Sequence, residues 1–359
     1  MLIDERCIVM AELPIPIPIP LPEWVVEFIA LNWETLLKII IIPGLAFILL
    51  FELVAVWFER KFLADAMLRI GPLYCGRVAG WLQLIADALK LTVKELFAPK
   101  GAHKVLFYAV PVFAPTIPAL AVVLIPFGPD WILFRAGGAG LLLFFALTSL
   151  IPVLTILAGW ASNNKYTIIG ALRSAYLYIA AEMPLFIAAA GVVILAGTFD
   201  LVEIVELQSK MWFAIPQFIG FITFFIAMLG ASERVPFDIP VAEQELVLGW
   251  RTEYTGIAFG LLMTVEYACL LAWSLLFITL YLGGYQGPPI LGPGTASGIF
   301  WMLVKLGIVV AIAIFLRVVF PRYRIDQALR LGWRYLIPLA LLNIFLTLAM
   351  KPYMLALLK

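Results

Sequence analysis

The sequence predicts an all-α, polytopic integral membrane helix bundle of about eight transmembrane helices, with one amphipathic helix on the cytoplasmic side. Three observations predict it. Of 359 residues, 64% are apolar and only 13% are charged, whereas a soluble domain is nearer half apolar. Mean hydropathy is +1.06. Apolar runs with few or no charges recur at the length needed to cross a hydrocarbon core, about 20 residues. They are continuous, where a transmembrane barrel would alternate over about ten residues.

The chain opens on a Pro-Ile alternation from Pro14 to Pro20, which favours extended polyproline geometry and excludes helix. Residues 1–35 therefore read as an extracytoplasmic Pro-rich segment and residues 36–359 as a single transmembrane bundle domain. Spans are expected near 36–58, 105–127, 138–160, 174–196, 212–230, 257–282, 298–319 and 336–357. The segment Trp81–Phe97 is too short and too charged to span. Its Gln83, Asp87, Lys90 and Lys94 fall in one stripe of a helix, so it reads as an amphipathic helix at the interface or packed on the bundle. The loops 59–104, 161–173, 231–256 and 317–335 hold most of the 24 Lys and Arg residues. The bias of cytoplasmic loops toward basic residues places these four inside and both termini outside, in a multi-pass protein.

Net charge is +1, and no basic platform for nucleic acid is present. Cys7, Cys75 and Cys269 lie far apart, and His103 is the sole histidine. The chain is thus expected to bind no metal, haem, iron–sulfur cluster or flavin by itself.

Three carboxylates fall inside expected spans: Glu52, Glu182 and Glu266. Each is costly near the bilayer centre unless paired, protonated or hydrated. The plain alternative is pairing with a basic group or proximity to a helix end, strongest for Glu52 beside Arg60 and Lys61. Glu182 precedes Pro184, which weakens the local backbone ladder and suggests a hydrated polar pocket there. The densest charge lies in one connector. Glu233, Arg234, Asp238, Glu243, Glu245, Arg251 and Glu253 stand between two apolar segments. A solvated loop has no need of Pro236-Phe237 and Ile239-Pro240 among its carboxylates. Their presence suggests a fixed, packed conformation suited to proton uptake or to docking a soluble partner.

Four motifs in this order resemble the quinone-site membrane subunit of respiratory complex I, together with relatives in archaeal complex I-like enzymes and membrane-bound hydrogenases. They are Glu59-Arg60-Lys61 leading to Arg69-Ile70-Gly71-Pro72; Leu82-Gln83 with Ala86-Asp87, Lys90 and Lys94-Glu95; Pro236-Phe237-Asp238 through Glu243, Glu245 and Glu253-Tyr254; and Pro321-Arg322-Tyr323-Arg324 through Trp333. The resemblance covers about residues 36–350. It implies a subunit of a proton-translocating NADH:quinone oxidoreductase-like complex, without catalysis alone. Such a subunit anchors the soluble iron–sulfur subunits of the peripheral arm. It forms a chamber for quinone or a similar lipid-soluble carrier and passes coupling to antiporter-like membrane subunits, all within membrane lipid. By position, Arg60, Arg69, Asp87, Asp238 and Arg322 would shape the chamber or docking surface. Glu182, Glu243, Glu245 and Glu266 would form the proton pathway. The chain departs from the family where a frequent loop Glu is Ala231, with Glu233 nearby, and where another is Val241. These departures suggest a divergent member, an archaeal one among the candidates. Two other readings use the same features: the membrane anchor of an energy-converting hydrogenase or sulfur reductase without quinone reduction, and a stand-alone ion transporter.

Overall fold

The computed structural model describes residues 38–40, 42–76, 80–129, 131–241, 243–289 and 294–358. The Pro-rich segment and the side chain of Glu243 lie outside the described residues. All regular structure among the described residues is helical. In chain order the helices are α1 (Leu45–Ala66), α2 (Gln83–Val93), α3 (Lys104–Val123), α4 (Gly140–Thr148), α5 (Ile151–Ala161), α6 (Lys165–Ala196) and α7 (Leu201–Leu207). They continue with α8 (Phe218–Ala231), α9 (Glu243–Leu246), α10 (Gly256–Tyr281), α11 (Thr295–Val319), α12 (Ile325–Arg330) and α13 (Ile337–Leu358). A π-helical turn, Leu331–Leu336, joins the last two.

Among the described residues, seven helical stretches are long and apolar enough to cross a membrane: Lys38–Ala66, Lys104–Val123, Gly137–Ala161, Lys165–Ala196, Gly256–Tyr281, Thr295–Val319 and Ile325–Pro352. The span expected at 212–230 differs. It appears as α8, with 14 residues, or roughly 21 Å at the helical rise, shorter than a hydrocarbon core of about 30 Å. Pro216 biases Ile215 away from helical geometry, and the helix starts only beyond it. The preceding turn is held by Ala214 N–H donating to Tyr281 O (2.9 Å) and by Gln217 Nε2 donating to Gly191 O (2.7 Å).

Two helices organise the interior. α10 carries one charged residue, Glu266, and buries almost every side chain from Ala268 to Tyr281. It packs on α1, α2, α3, α8 and α11. α6 packs on α5, α8 and α13. It begins at Asn164, whose side chain accepts from Tyr166 N–H (3.0 Å), and ends at Gly197 in left-handed geometry (φ +80°). Both are standard ways to satisfy orphan backbone groups. The far end of α10 is closed by Lys305 of α11. Its ammonium donates to the carbonyls of Leu282, Gly284 and Gln286 at 2.7, 2.8 and 2.7 Å and lies over the Trp212 ring. That places a cation at the negative end of a helix dipole.

The amphipathic helix expected within Trp81–Phe97 is α2. It lies against α10, where Gly256 takes φ +57° and a Cβ there would stand 2.9 Å from Lys94 O. The Thr255 hydroxyl donates to Glu95 O (3.2 Å) across the same contact.

Candidate functional site

Charge gathers at one end of the bundle, where the four basic loops meet. The connector 232–255 folds down onto this end rather than extending into solvent. Phe237, Ile239, Leu246, Trp250 and Tyr254 are buried. Tyr323 N–H donates to Pro236 O (3.0 Å), and the Phe237 and Tyr323 rings pack 5.7 Å apart. Apolar residues between the carboxylates therefore nail the loop in place, as their sequence pattern suggests.

Two buried charge groups result. In the first, Glu59 of α1 accepts from Arg234 (2.9 Å), from Arg317 of α11 and from the Tyr267 hydroxyl (3.0 Å). The Arg234 guanidinium lies 3.9 Å from the Tyr267 ring centroid. Four segments distant in sequence are thus pinned by one carboxylate. In the second, Arg251 bridges two carboxylates, 2.7 Å from Glu266 and 3.9 Å from Glu233. Glu233 also accepts from Ser174 of α6. Arg251 is 1% exposed and Glu233 3%. Burial pushes the Glu233 carboxyl up to about 7, against the opposing pull of Arg251 and Ser174.

Around these lie more exposed pairs: Arg60 with Asp87 (2.7 Å), Arg322 with Asp238 (2.7 Å) and Arg173 with Glu245 (2.5 Å). Asp87 accepts also from Gln83 (3.0 Å). Burial opposes its ionisation, but Arg60 and Gln83 outweigh burial and hold it below the ordinary Asp range. Asp238 is held above that range by burial and by the nearby Glu266 charge, which together exceed the effect of Arg322. The structure thus brings together Arg60, Asp87, Asp238, Arg322, Glu245 and Glu266. Arg69 stands apart, exposed after α1, with no ion pair among the described residues. Glu182 sits deeper in α6, and its Oε1 is buried without a hydrogen-bond partner among the described residues.

The pocket expected beside Pro184 takes another form. Pro184 lacks an amide hydrogen, so the Ala180 carbonyl loses its helical partner. Gly332 closes on that carbonyl, and a Cβ at 332 would stand 2.5 Å from it. The adjoining crevice, about 220 Å³, is lined by apolar side chains including Leu177, Phe237 and Leu336. A second, about 210 Å³, is lined by Glu59, Arg234, Leu270 and Arg317.

The sequence pattern includes Glu233, Arg234 and Arg251 in the charged connector and Glu59 in a motif, but gives none of the four an individual role. Glu59 opens one of the four motifs, and the paired signs of Glu233 and Arg234 beside an apolar helix end are the available signal. Among the described residues no group of His, Cys, Asp and Glu could hold a metal ion.

Comparison with known proteins identifies the family. The family model described as NADH dehydrogenase matches residues 37–348. The chain is 43% identical over 315 residues to the H-type subunit of NADH-quinone oxidoreductase from Bacillus mycoides (strain KBAB4), covering 86% of this chain and 93% of that protein. It is 42% identical over 323 residues to the protein of the same name from Geobacillus sp. (strain WCH70), covering 88% and 95%. A multi-pass helical bundle, a charged loop end and likeness along nearly the whole length agree, and the chain belongs to the NADH dehydrogenase family, with complex I membrane subunits as its homologues.

Proposed function

We propose that this chain is the membrane subunit of a complex I-like oxidoreductase that lines the access chamber for quinone and couples its reduction to proton translocation. The observation that carries this reading is the buried Glu233–Arg251–Glu266 group, set between an exposed charged face and the deeper Glu182. A charged face of Arg60, Asp87, Asp238 and Arg322 suits docking of soluble iron–sulfur subunits, because complementary charge steers and registers partners. The crevices in the chain alone are small, so the chamber is completed by partner subunits, and this chain supplies apolar wall and placed polar groups. Antiporter-like subunits in the same membrane would receive the coupling.

The physics is local. When quinone takes up electrons near the loop end, new negative charge appears beside carboxylates held in low dielectric. Their proton affinities rise, and they bind protons drawn from the cytoplasmic side. A buried arginine between two carboxylates makes that response shared, since moving Arg251 toward one leaves the other less compensated.

Glu182→Gln in the assembled complex, in sealed vesicles, tests this. Quinol formation in the presence of an uncoupler should persist, while protons translocated per quinol should fall sharply. Unchanged translocation would remove Glu182 from the pathway. Ion flux through the isolated, reconstituted chain would instead favour an independent transporter.

A further inference from the structure

Ser174, Tyr178 and Glu182 are spaced four apart on α6, so they share one face of the helix. Ser174 donates to Glu233 at the loop end of this stripe. Glu182 lies at the deep end with one carboxylate oxygen unpartnered among the described residues. Eight residues of helix separate Ser174 from Glu182, a rise of about 12 Å, too far for a proton to pass in one hydrogen bond. Tyr178 fills the interval. It is 3% exposed and lies one helical turn from each end of the stripe, between Ser174, which holds Glu233, and Glu182.

We infer that Tyr178 is the positioning and relay residue that joins Glu233 to Glu182. A phenol hydroxyl both donates and accepts. In one transfer, the protonated Glu233 gives its proton to the Tyr178 oxygen, directly or through a water molecule. Tyr178 gives its own proton onward to the Glu182 carboxylate in the same way. One O–H bond breaks and one forms at the phenol, which starts and ends neutral. One proton leaves Glu233 and one arrives at Glu182, with no change of oxidation state. Ser174 holds Glu233 against the stripe, and Arg251 favours the return of Glu233 to its ionised form. Leu177 and Ala181, the neighbours of Tyr178 on the helix, have no exchangeable side-chain proton and line the apolar crevice instead.

This inference rests on the coupling role proposed for Glu182 and names the group that serves it. The test uses the whole complex in sealed vesicles, comparing Tyr178→Phe, Glu182→Gln and a series of ring-fluorinated tyrosines at position 178. Phenylalanine keeps the ring and removes the hydroxyl. Tyr178→Phe should leave uncoupled quinone reduction near its original rate and lower the rate of coupled proton translocation by about tenfold or more, the scale of losing a proton-transfer group. The fluorinated series keeps shape while grading phenol acidity. Translocation rate and its solvent deuterium isotope effect should change along it, which a purely packing role would not cause. If Tyr178→Phe fails to assemble, the fluorinated series decides alone. Impaired Glu182→Gln with normal Tyr178→Phe, or a flat fluorinated series, overturns the role of Tyr178 only. Normal translocation in Glu182→Gln overturns the coupling reading beneath it.

Discussion

Glu59 is the most connected carboxylate of the site, held by Arg234, Arg317 and Tyr267. Removing one member of a buried charge group leaves the rest undercompensated. Arg234→Leu should therefore destabilise the subunit by about 3 kcal/mol, read as a lower thermal midpoint of the detergent-solubilised complex, with Glu59→Gln/Arg234→Leu less damaging than the single change. Glu233 makes a different prediction. Its carboxyl ordinarily titrates at 4.5 and is pushed up to about 7 by burial. Between those values the folded chain holds a proton that the unfolded chain has released. Stability from this residue is therefore present in acid, falls as pH rises through that window, and levels off above it. The total is on the order of 3 kcal/mol. Thermal midpoints at pH 5 and pH 8 check the sign, and Glu233→Gln should flatten the difference. Glu182 and Glu266 were legible in the sequence because a carboxylate in an apolar run is conspicuous. Glu233 and Arg251 were legible as members of the charged connector, but their pairing was not, because an ion pair within one loop has no fixed spacing and depends on how prolines fold the loop back.

Helices announced themselves by apolar length, and seven stretches long and apolar enough to span follow that rule. The eighth, α8, did not, because Pro216 truncates an apolar run whose composition alone suggests a span. The amphipathic segment was legible from its polar stripe, but its packing was not. α2 rests on α10 only because Gly256 lacks a side chain and adopts φ +57°. Gly256→Ala combines left-handed strain with a collision against Lys94 O, so it should cost roughly 1–2 kcal/mol or more and loosen α2. Faster protease cleavage in the 94–100 segment, with α6 unaffected, is the expected reading. Gly249 (φ +59°) is more severe, since a Cβ would stand 1.9 Å from Pro240 O. Gly249→Ala should open the connector and lower assembly of the complex, measured by co-purification of soluble subunits.

Across the bundle, charge is polarised. Arg60, Arg234, Arg251, Arg317 and Arg322 cluster at one end, while the Arg135–Asp200 pair (2.8 Å) marks a loop that the basic-residue bias assigns to the other side. This predicts opposite labelling. In a background with Cys7 and Cys75 replaced by Ser, Arg69→Cys should react with a membrane-impermeant maleimide only in inside-out vesicles. Arg135→Cys should react only in right-side-out cells. Exchanged labelling of the two would reverse the orientation, and labelling of both from one side would overturn the placement of these loops on opposite sides. This polarity also bears on α10, which threads from the charged loops to the Lys305 clamp. Three carbonyl bonds to one ammonium fix that end, and the other is held by the buried connector and by the Arg251–Glu266 pair. α10 is thus a strut moored at both ends, with Glu266 at its charged end and a fully buried, uncharged stretch from Ala268 to Tyr281 running on to the lysine.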